Sequence, residues 1–241
     1  MSEQKSLKQR IHQGDIIIGV SVPIHMERSR LEHILSQDAY DFVAVDSQHS
    51  PYNEEQLVAF CALAEDVGIP VQFRIKHTRH AYLIGNILDL GPMSIEVPLV
   101  EEASIVAEAL AAFYYPQVGK RSWGGAARYG IKGREDRLEY ATWWNNHGIL
   151  CLQIETLNAV THARQLARPG VDCFTWGPAD LSFDLEGHPE HPFQTVDDCL
   201  RHVLKQLEGT DVKVSFRSGT PDLRNKYIDM GVTVLMERPR S

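Results

Sequence analysis

Residues 42 to 74 read FVAVDSQHSPYNEEQLVAFCALAEDVGIPVQFR, and the spacing of apolar residues changes twice within them. Phe42 to Asp46 is a short apolar run of strand length. Asn53 then stands before Glu54 and Glu55, a capping residue followed by acids in a first turn, and Leu57, Phe60, Cys61 and Ala64 recur on one helical face. Gly68 can adopt the left-handed conformation that ends a helix, and Val71 to Arg74 is a second strand-length run. Strand, helix and strand in this order is the unit that joins parallel strands by a crossover helix.

The same alternation extends in both directions. Upstream, Ile16 to Val22 reads as a strand, and Leu31, Ile34 and Leu35 mark the helix between it and residue 42. Downstream, Tyr82, Ile84, Ile87 and Leu88 precede Gly91 and a strand at Ser94 to Pro98, followed by an alanine-rich helix over Glu101 to Phe113. Further strands are predicted at Ile149 to Glu155, Val171 to Trp176, Val212 to Phe216 and Val232 to Met236. Helical segments are predicted at Glu135 to Asn146, Ala159 to Leu166, Val196 to Leu207 and Pro221 to Met230. Eight strands alternating with helices predict a (β/α)8 TIM barrel filling residues 1 to 241 as one domain. An open doubly wound sheet usually has fewer strands and often a glycine-rich first turn, which is absent here.

Two features interrupt the regularity. The stretch YYPQVGKRSWGGAARYG, from Tyr114 to Gly130, is too long for a plain connector, and its aromatic and basic content suggests a functional loop. The sequence also runs only five residues past Met236, so no complete eighth helix is expected to cover the last strand. Apolar surface left bare there predicts a homo-oligomer.

Composition narrows the partner. A formal net charge of -8 and the lack of a basic run argue against nucleic acid or an anionic membrane, and leave a small molecule. Cys61, Cys151, Cys173 and Cys199 lie in apolar segments without metal-type or disulfide-framework spacing, as reduced thiols of a cytoplasmic protein would. No segment is apolar over a length that would span a bilayer.

In a barrel of this kind the chemistry lies at the C-terminal ends of the strands. Polar residues cluster at those ends: Asp46-Ser47-Gln48-His49, Arg74, Gln153-Ile154-Glu155, and the turn Gly177-Pro178-Ala179-Asp180. Glu155 and Asp180 come from neighbouring strands, and two carboxylates in one mouth repel unless a proton or cation lies between them. Hard oxygen donors without a cysteine or histidine cluster favour Mg²⁺ or Mn²⁺, with Co²⁺ or Zn²⁺ as alternatives. Arg74 ends an otherwise apolar strand with a fork of donors suited to keto acid or enolate oxygens, and an ion pair within the rim is its other reading. His49 is placed to move a proton, or else is an idle loop residue. Gly177 permits close backbone approach, and the N–H groups of Ala179 and Asp180 can receive a carboxylate. His188 and His191 in GHPEHP are broken up by prolines and read as a surface loop, and Trp143 and Trp144 read as packing residues.

The segments VAVDSQHSP, LQIET and WGPADLS, in that order and on those strands, resemble the HpcH/HpaI type of metal-dependent pyruvate aldolases. ILDLGPMSIEVPLV, YPQVGKR and GHPEHP extend the likeness over most of the chain. The resemblance implies reversible aldol cleavage of a 4-hydroxy-2-keto acid to pyruvate and an aldehyde. It makes Glu155 and Asp180 the metal ligands, Gln153 their neighbour, Arg74 the contact to the keto oxygen, and His49 the acid/base residue with Asp89 orienting it. It also gives the pyruvate carboxylate to the N–H groups of Ala179 and Asp180. An oxaloacetate-type decarboxylase using the same enolate, or a barrel that binds a keto acid without turnover, are the competing expectations. The chain departs from the family at Gln48, where an acid is common, at Trp123, at Arg217, and in the ending VLMERPRS. Arg217 and Trp123 are expected to reshape the aldehyde pocket.

Overall fold

The computed structural model describes residues 5–240. Its strands are β1 (Ile17–Ser21), β2 (Phe42–Asp46), β3 (Val71–Arg74), β4 (Ser94–Val97), β5 (Ile149–Ile154), β6 (Cys173–Trp176), β7 (Lys213–Gly219) and β8 (Val234–Glu237). Each pairs in parallel with the next, and β8 returns to β1 with Ile17 opposite Val234, so the eight strands close into a barrel. The fold is the expected (β/α)8 barrel.

Local chemistry sets the element ends. Asn53 accepts from the Gln56 N–H while the Gln56 side chain accepts from the Asn53 N–H, which fixes the start of the helix Glu54–Val67. Gly68 ends it at φ 86°, a left-handed conformation that a side chain would strain. The predicted helix over 159 to 166 is instead two short helices, Leu157–Thr161 and Ala163–Leu166, that meet at His162, which departs from helical geometry at ψ 15°.

Alternation along each strand divides the core. Outward residues such as Val43, Phe73, Ile95, Leu150, Phe174 and Phe216 pack against the surrounding helices through Leu31, Leu57, Val106 and Leu200. Inward residues form a small apolar plug at the other end of the strands, comprising Ile17, Phe42, Ile149, Cys151, Cys173 and Val234. The helix Leu7–Gln13 closes that end with Leu7 and Ile11. It is pinned by the fully buried Asp172, whose carboxylate meets His12 Nε2 at 2.7 Å, Lys8 Nζ at 3.2 Å and the Leu150 N–H at 2.8 Å. Above the plug the interior turns polar, with Gln72, Glu96, Gln153 and Arg74 pointing inward. The barrel is therefore sealed at its base and carries its charge at the C-terminal mouth.

The expected bare face on β8 is not found. Leu235, which points outward from β8, and Val232 before it are both fully buried in the outer core. Among the described residues, the last strand therefore leaves no bare apolar face that would call for an oligomer. The long stretch 114 to 130 is largely exposed but anchored by a few buried side chains. Arg121 lies buried over the rings of Tyr115 and Trp144, and Arg128 stacks 3.9 Å from the centre of the Trp123 ring. Trp144 is buried in the core and Trp143 packs against it, as expected of packing residues, while His188 lies exposed in its loop. No described helix is long and apolar enough to cross a membrane.

Candidate active site

The ends of β2, β3 and β5 are joined by one string of hydrogen bonds. Arg74 donates Nε to Asp46 Oδ1 at 2.8 Å and Nη2 to Asp46 Oδ2 at 2.6 Å, a two-pronged ion pair. Its Nη1 donates to Gln153 Oε1 at 3.1 Å. Gln153 passes the polarity on, donating Nε2 to Glu155 Oε2 at 2.7 Å. Because Arg74 can only donate, the Gln153 oxygen must face it and the amide nitrogen must face Glu155. Each side chain is thus aimed by its neighbour.

Burial and charge follow from this arrangement. Burial raises the Asp46 carboxyl, but the hydrogen bonds and charge of Arg74, the Gln48 N–H and the charge of Arg217 together outweigh it and hold the group below its usual range. Glu155 is only 2% exposed, and burial, together with the Asp180 carboxyl beside it, pushes it up to about 7. The remaining Glu155 oxygen, Oε1, accepts the Leu99 N–H at 2.9 Å. Leu99 has a φ of 48°, and among the described residues no other non-glycine residue has positive φ. Thr78 Oγ1 clamps this strained turn by donating to Pro98 O at 2.7 Å. Backbone strain is therefore spent on holding one carboxylate oxygen.

Gly177 follows β6, and a Cβ there would lie 2.9 Å from Gln153 Nε2, so glycine is what lets the next turn close over the string. That turn begins the helix Pro178–Gly187, whose first-turn N–H groups lack intrahelical partners and carry the positive end of the helix dipole. His49, Arg74, Gln153, Gly177, Ala179 and Asp180 line one cavity of about 480 Å³ at the mouth, together with Ser21 on β1 and Arg217 on β7. His49 is exposed at its rim.

Asp89 is placed elsewhere within the chain. It caps the helix Ile84–Leu88, and its Oδ1 accepts from Arg121 Nη2 at 2.8 Å, so its carboxylate is turned to the long loop and does not line the cavity. The expectation that it orients His49 is not met within one chain.

Arg74 forms the ion pair within the rim that was its other reading, but its partner and a second buried acid are not evident from the sequence. Asp46 is the fixed counter-ion of Arg74, and Glu96 is fully buried on β4, accepting from Gln72 Nε2 at 2.8 Å and from Arg217 Nη2 at 2.7 Å. Glu96 and Arg217 are 121 positions apart and meet only because the barrel closes. A charge buried on an inward strand position was the available signal for both.

Residues 25–216 match the model of the HpcH/HpaI aldolase/citrate lyase family. The chain belongs to that family. Among HpcH/HpaI relatives, a hydroxypyruvate/pyruvate aldolase from Chromohalobacter salexigens is 34% identical over 71% of this chain and 67% of its own length. A 2-dehydro-3,6-dideoxy-6-sulfogluconate aldolase from Pseudomonas putida is 29% identical over 82% and 76% of the two chains. The crystal structure of an HpcH/HpaI aldolase from Desulfitobacterium hafniense superposes with a TM-score of 0.81 at 23% identity, covering 98% of this chain and 90% of the other, and supports the fold. The activity of the family places this chain among the aldolase-type carbon–carbon lyases, which depend on a divalent cation.

The residues present fit such a cation. The buried carboxyl of Glu155 meets the exposed carboxyl of Asp180, and Glu155 is pushed up to about 7 by its burial and by that second negative charge. Among the described residues no cluster of three or more His, Cys, Asp or Glu gathers, so the protein offers a two-carboxylate site with the remaining positions left to water and substrate oxygens.

Proposed function

We propose that the chain catalyses reversible aldol cleavage of a 4-hydroxy-2-keto acid to pyruvate and an aldehyde through a pyruvate enolate. The observation that carries this reading is the continuous string from Asp46 through Arg74 and Gln153 to Glu155, with Asp180 against its end. Arg74 and Asp180 line one cavity, and Glu155 lies buried beside Asp180, which supports a fixed positive donor near two hard anionic oxygens. The relatives' names, a hydroxypyruvate/pyruvate aldolase and a 2-keto-3-deoxy-L-rhamnonate aldolase, support a pyruvyl donor.

Glu155 and Asp180 would hold the cation, Mg²⁺ or Mn²⁺ by the hardness of their oxygens. When bound, that ion supplies Lewis-acid polarisation of the 2-keto group. The free N–H groups of Ala179 and Asp180 receive the substrate carboxylate at the positive end of their helix. Arg74, already locked by Asp46 and Gln153, needs no reorganisation to present positive charge to the oxygen on which enolate charge gathers. Gln153 keeps both neighbours in place. His49, at the rim, takes the proton from the C4 hydroxyl during cleavage and returns it during addition.

The test is pyruvate release coupled to aldehyde release from a 4-hydroxy-2-keto acid, with and without EDTA. Cleavage abolished by chelation and restored by Mn²⁺ supports the reading. No aldehyde from the 4-hydroxy-2-keto acid while oxaloacetate is converted to pyruvate and carbon dioxide, or turnover that survives thorough chelation, refutes it.

A further inference from the structure

The cavity has a second pole that the reaction as derived does not use. Strand order places β7 across the barrel from β3, so Arg217 approaches from the wall facing Arg74. Its guanidinium crosses the interior to Glu96, with Nη2 at 2.7 and 2.8 Å from the two carboxylate oxygens. The other nitrogens are poorly served: Nη1 rests 3.0 Å from the Met236 thioether sulfur, a weak acceptor, and Nε has no partner. Arg238, just beyond β8, lines the same cavity, and its backbone N–H donates to Gly219 O at 3.1 Å on the end of β7. The two arginines therefore share the β7–β8 side of the mouth.

Charge around the cavity is otherwise matched. Asp46 neutralises Arg74, Glu96 neutralises Arg217, and the cavity-lining Glu237 is held by the Arg224 fork. Glu155 and Asp180 would be matched by a divalent cation. Among the described residues no carboxylate lies within ion-pair distance of Arg238. On the aldolase reading the substrate's 1-carboxylate goes to backbone N–H groups at the head of the helix Pro178–Gly187 and would leave both arginines free of it. The full positive charge of Arg238 and the weakly served Nη1 of Arg217 remain on the wall where the far end of the substrate would lie, with the unpartnered Arg217 Nε buried behind it.

We propose that Arg217 and Arg238 form a distal anion subsite, so that the aldehyde taken and released by this chain carries a carboxylate, sulfonate or phosphate. This rests on the aldolase reading above for the direction in which the substrate lies. An oxygen of the distal anion replaces Met236 as the acceptor of Arg217 Nη1, while Arg238 closes over it from the rim. A charge-assisted contact of this kind changes affinity on the order of tenfold or more, and it weakens as salt rises because Arg238 is exposed.

The test compares matched aldehydes in pyruvate addition: glyceraldehyde 3-phosphate against glyceraldehyde, and succinic semialdehyde against its amide. The expected result is a kcat/KM ratio of anionic to neutral partner on the order of tenfold or more, falling toward unity in Arg238→Gln and below it in Arg238→Glu. Preference confined to the phosphate or to the carboxylate pair identifies which anion the subsite accepts. A second arm needs no turnover: binding of 2-oxoadipate and 2-oxohexanoate to the Mn²⁺-loaded protein by calorimetry. Tighter 2-oxoadipate binding that is lost in Arg238→Gln upholds the subsite even where no aldol product forms, which would instead overturn the aldolase reading. Equal binding of the two keto acids, or an aldehyde preference that Arg238→Glu leaves in place, overturns the subsite.

Discussion

The backbone of Gly177 lies so close to Glu155 that a methyl group at 177 would sit 2.6 Å from both Cβ and Oε2 of that glutamate. Oε2 is also the atom that accepts from Gln153, so the intrusion falls on the carboxylate proposed to bind metal. Gly177→Ala is therefore expected to weaken Mn²⁺ binding at least about tenfold while lowering stability by about 1–3 kcal/mol, the usual range for an overpacked core. Mn²⁺ titration followed by electron paramagnetic resonance, beside thermal unfolding, checks this. Wild-type affinity in the variant would mean that Glu155 does not bind the ion.

Arg74 is held at three of its nitrogens before any substrate arrives. Arg74→Ala is expected to lower metal-dependent exchange of pyruvate methyl protons with deuterium by roughly 10²–10³, the scale of losing a preorganised donor to an oxyanion. Arg74→Lys keeps a charge but cannot span both Asp46 oxygens and Gln153, so it is expected to recover only a small part of the rate. NMR of the exchanging methyl group gives the readout, and undiminished exchange in Arg74→Ala removes Arg74 from the chemistry.

How far this site could be read from sequence depends on the range of each interaction. Phe42 to Asp46 and Val71 to Arg74 were legible to the residue because a capped helix, with its stop at Gly68, lies between them and fixes both ends locally. β7 was predicted to end at Phe216 but continues to Gly219 through an irregularity between Arg217 and Gly219, where charged and small residues carry no strand pattern. Glu155, Asp180, Arg74 and His49 stood out as polar residues at strand ends. The pairing of Glu96 with Arg217, the role of Asp46, and the Leu99 N–H on Glu155 were not legible. The first depends on barrel closure, the second on which neighbour an acid faces, and the third on a backbone group that leaves no trace in residue type.

Glu96 has no contact with solvent and is tied to Arg217 from the far side of the barrel. Glu96→Leu leaves a guanidinium in the interior without its counter-ion and is expected to cost about 3–5 kcal/mol, as breaking one half of a buried pair does. The double variant Glu96→Leu, Arg217→Leu is expected to regain most of that stability because no charge is then left unmatched. Urea unfolding of the two variants decides it, and a double variant no more stable than the single one would show that the pair is not coupled.

His49 is exposed at the rim and its removal disturbs no packing. His49→Ala is expected to slow aldol cleavage by roughly 10²–10⁴, the range for a lost general acid or base, with Mn²⁺ affinity changed less than about twofold. Single-turnover cleavage and the metal titration are read on the same sample. A large fall in metal affinity would move His49 into the coordination shell.

Glu155 links metal, proton and stability. Without metal its folded-state pKa, raised by burial and by Asp180, is about 7 against an ordinary 4.5. Between those values the folded protein holds a proton that the unfolded chain has lost, so folding is favoured by acid, and this contribution disappears as pH rises through about 7. The gap between the folded and unfolded values makes this contribution at most about 3 kcal/mol. In EDTA, wild type should therefore lose stability from pH 4.5 to pH 7 relative to Glu155→Gln, which has no proton to release there. Saturating Mn²⁺ should reverse the trend, because the cation takes the proton's place between the two carboxylates and binds more tightly as they ionise. Thermal unfolding of both proteins across that pH window, with and without Mn²⁺, supplies the four curves. If wild type and Glu155→Gln run parallel in EDTA, Glu155 is ionised throughout and the two carboxylates do not share a site.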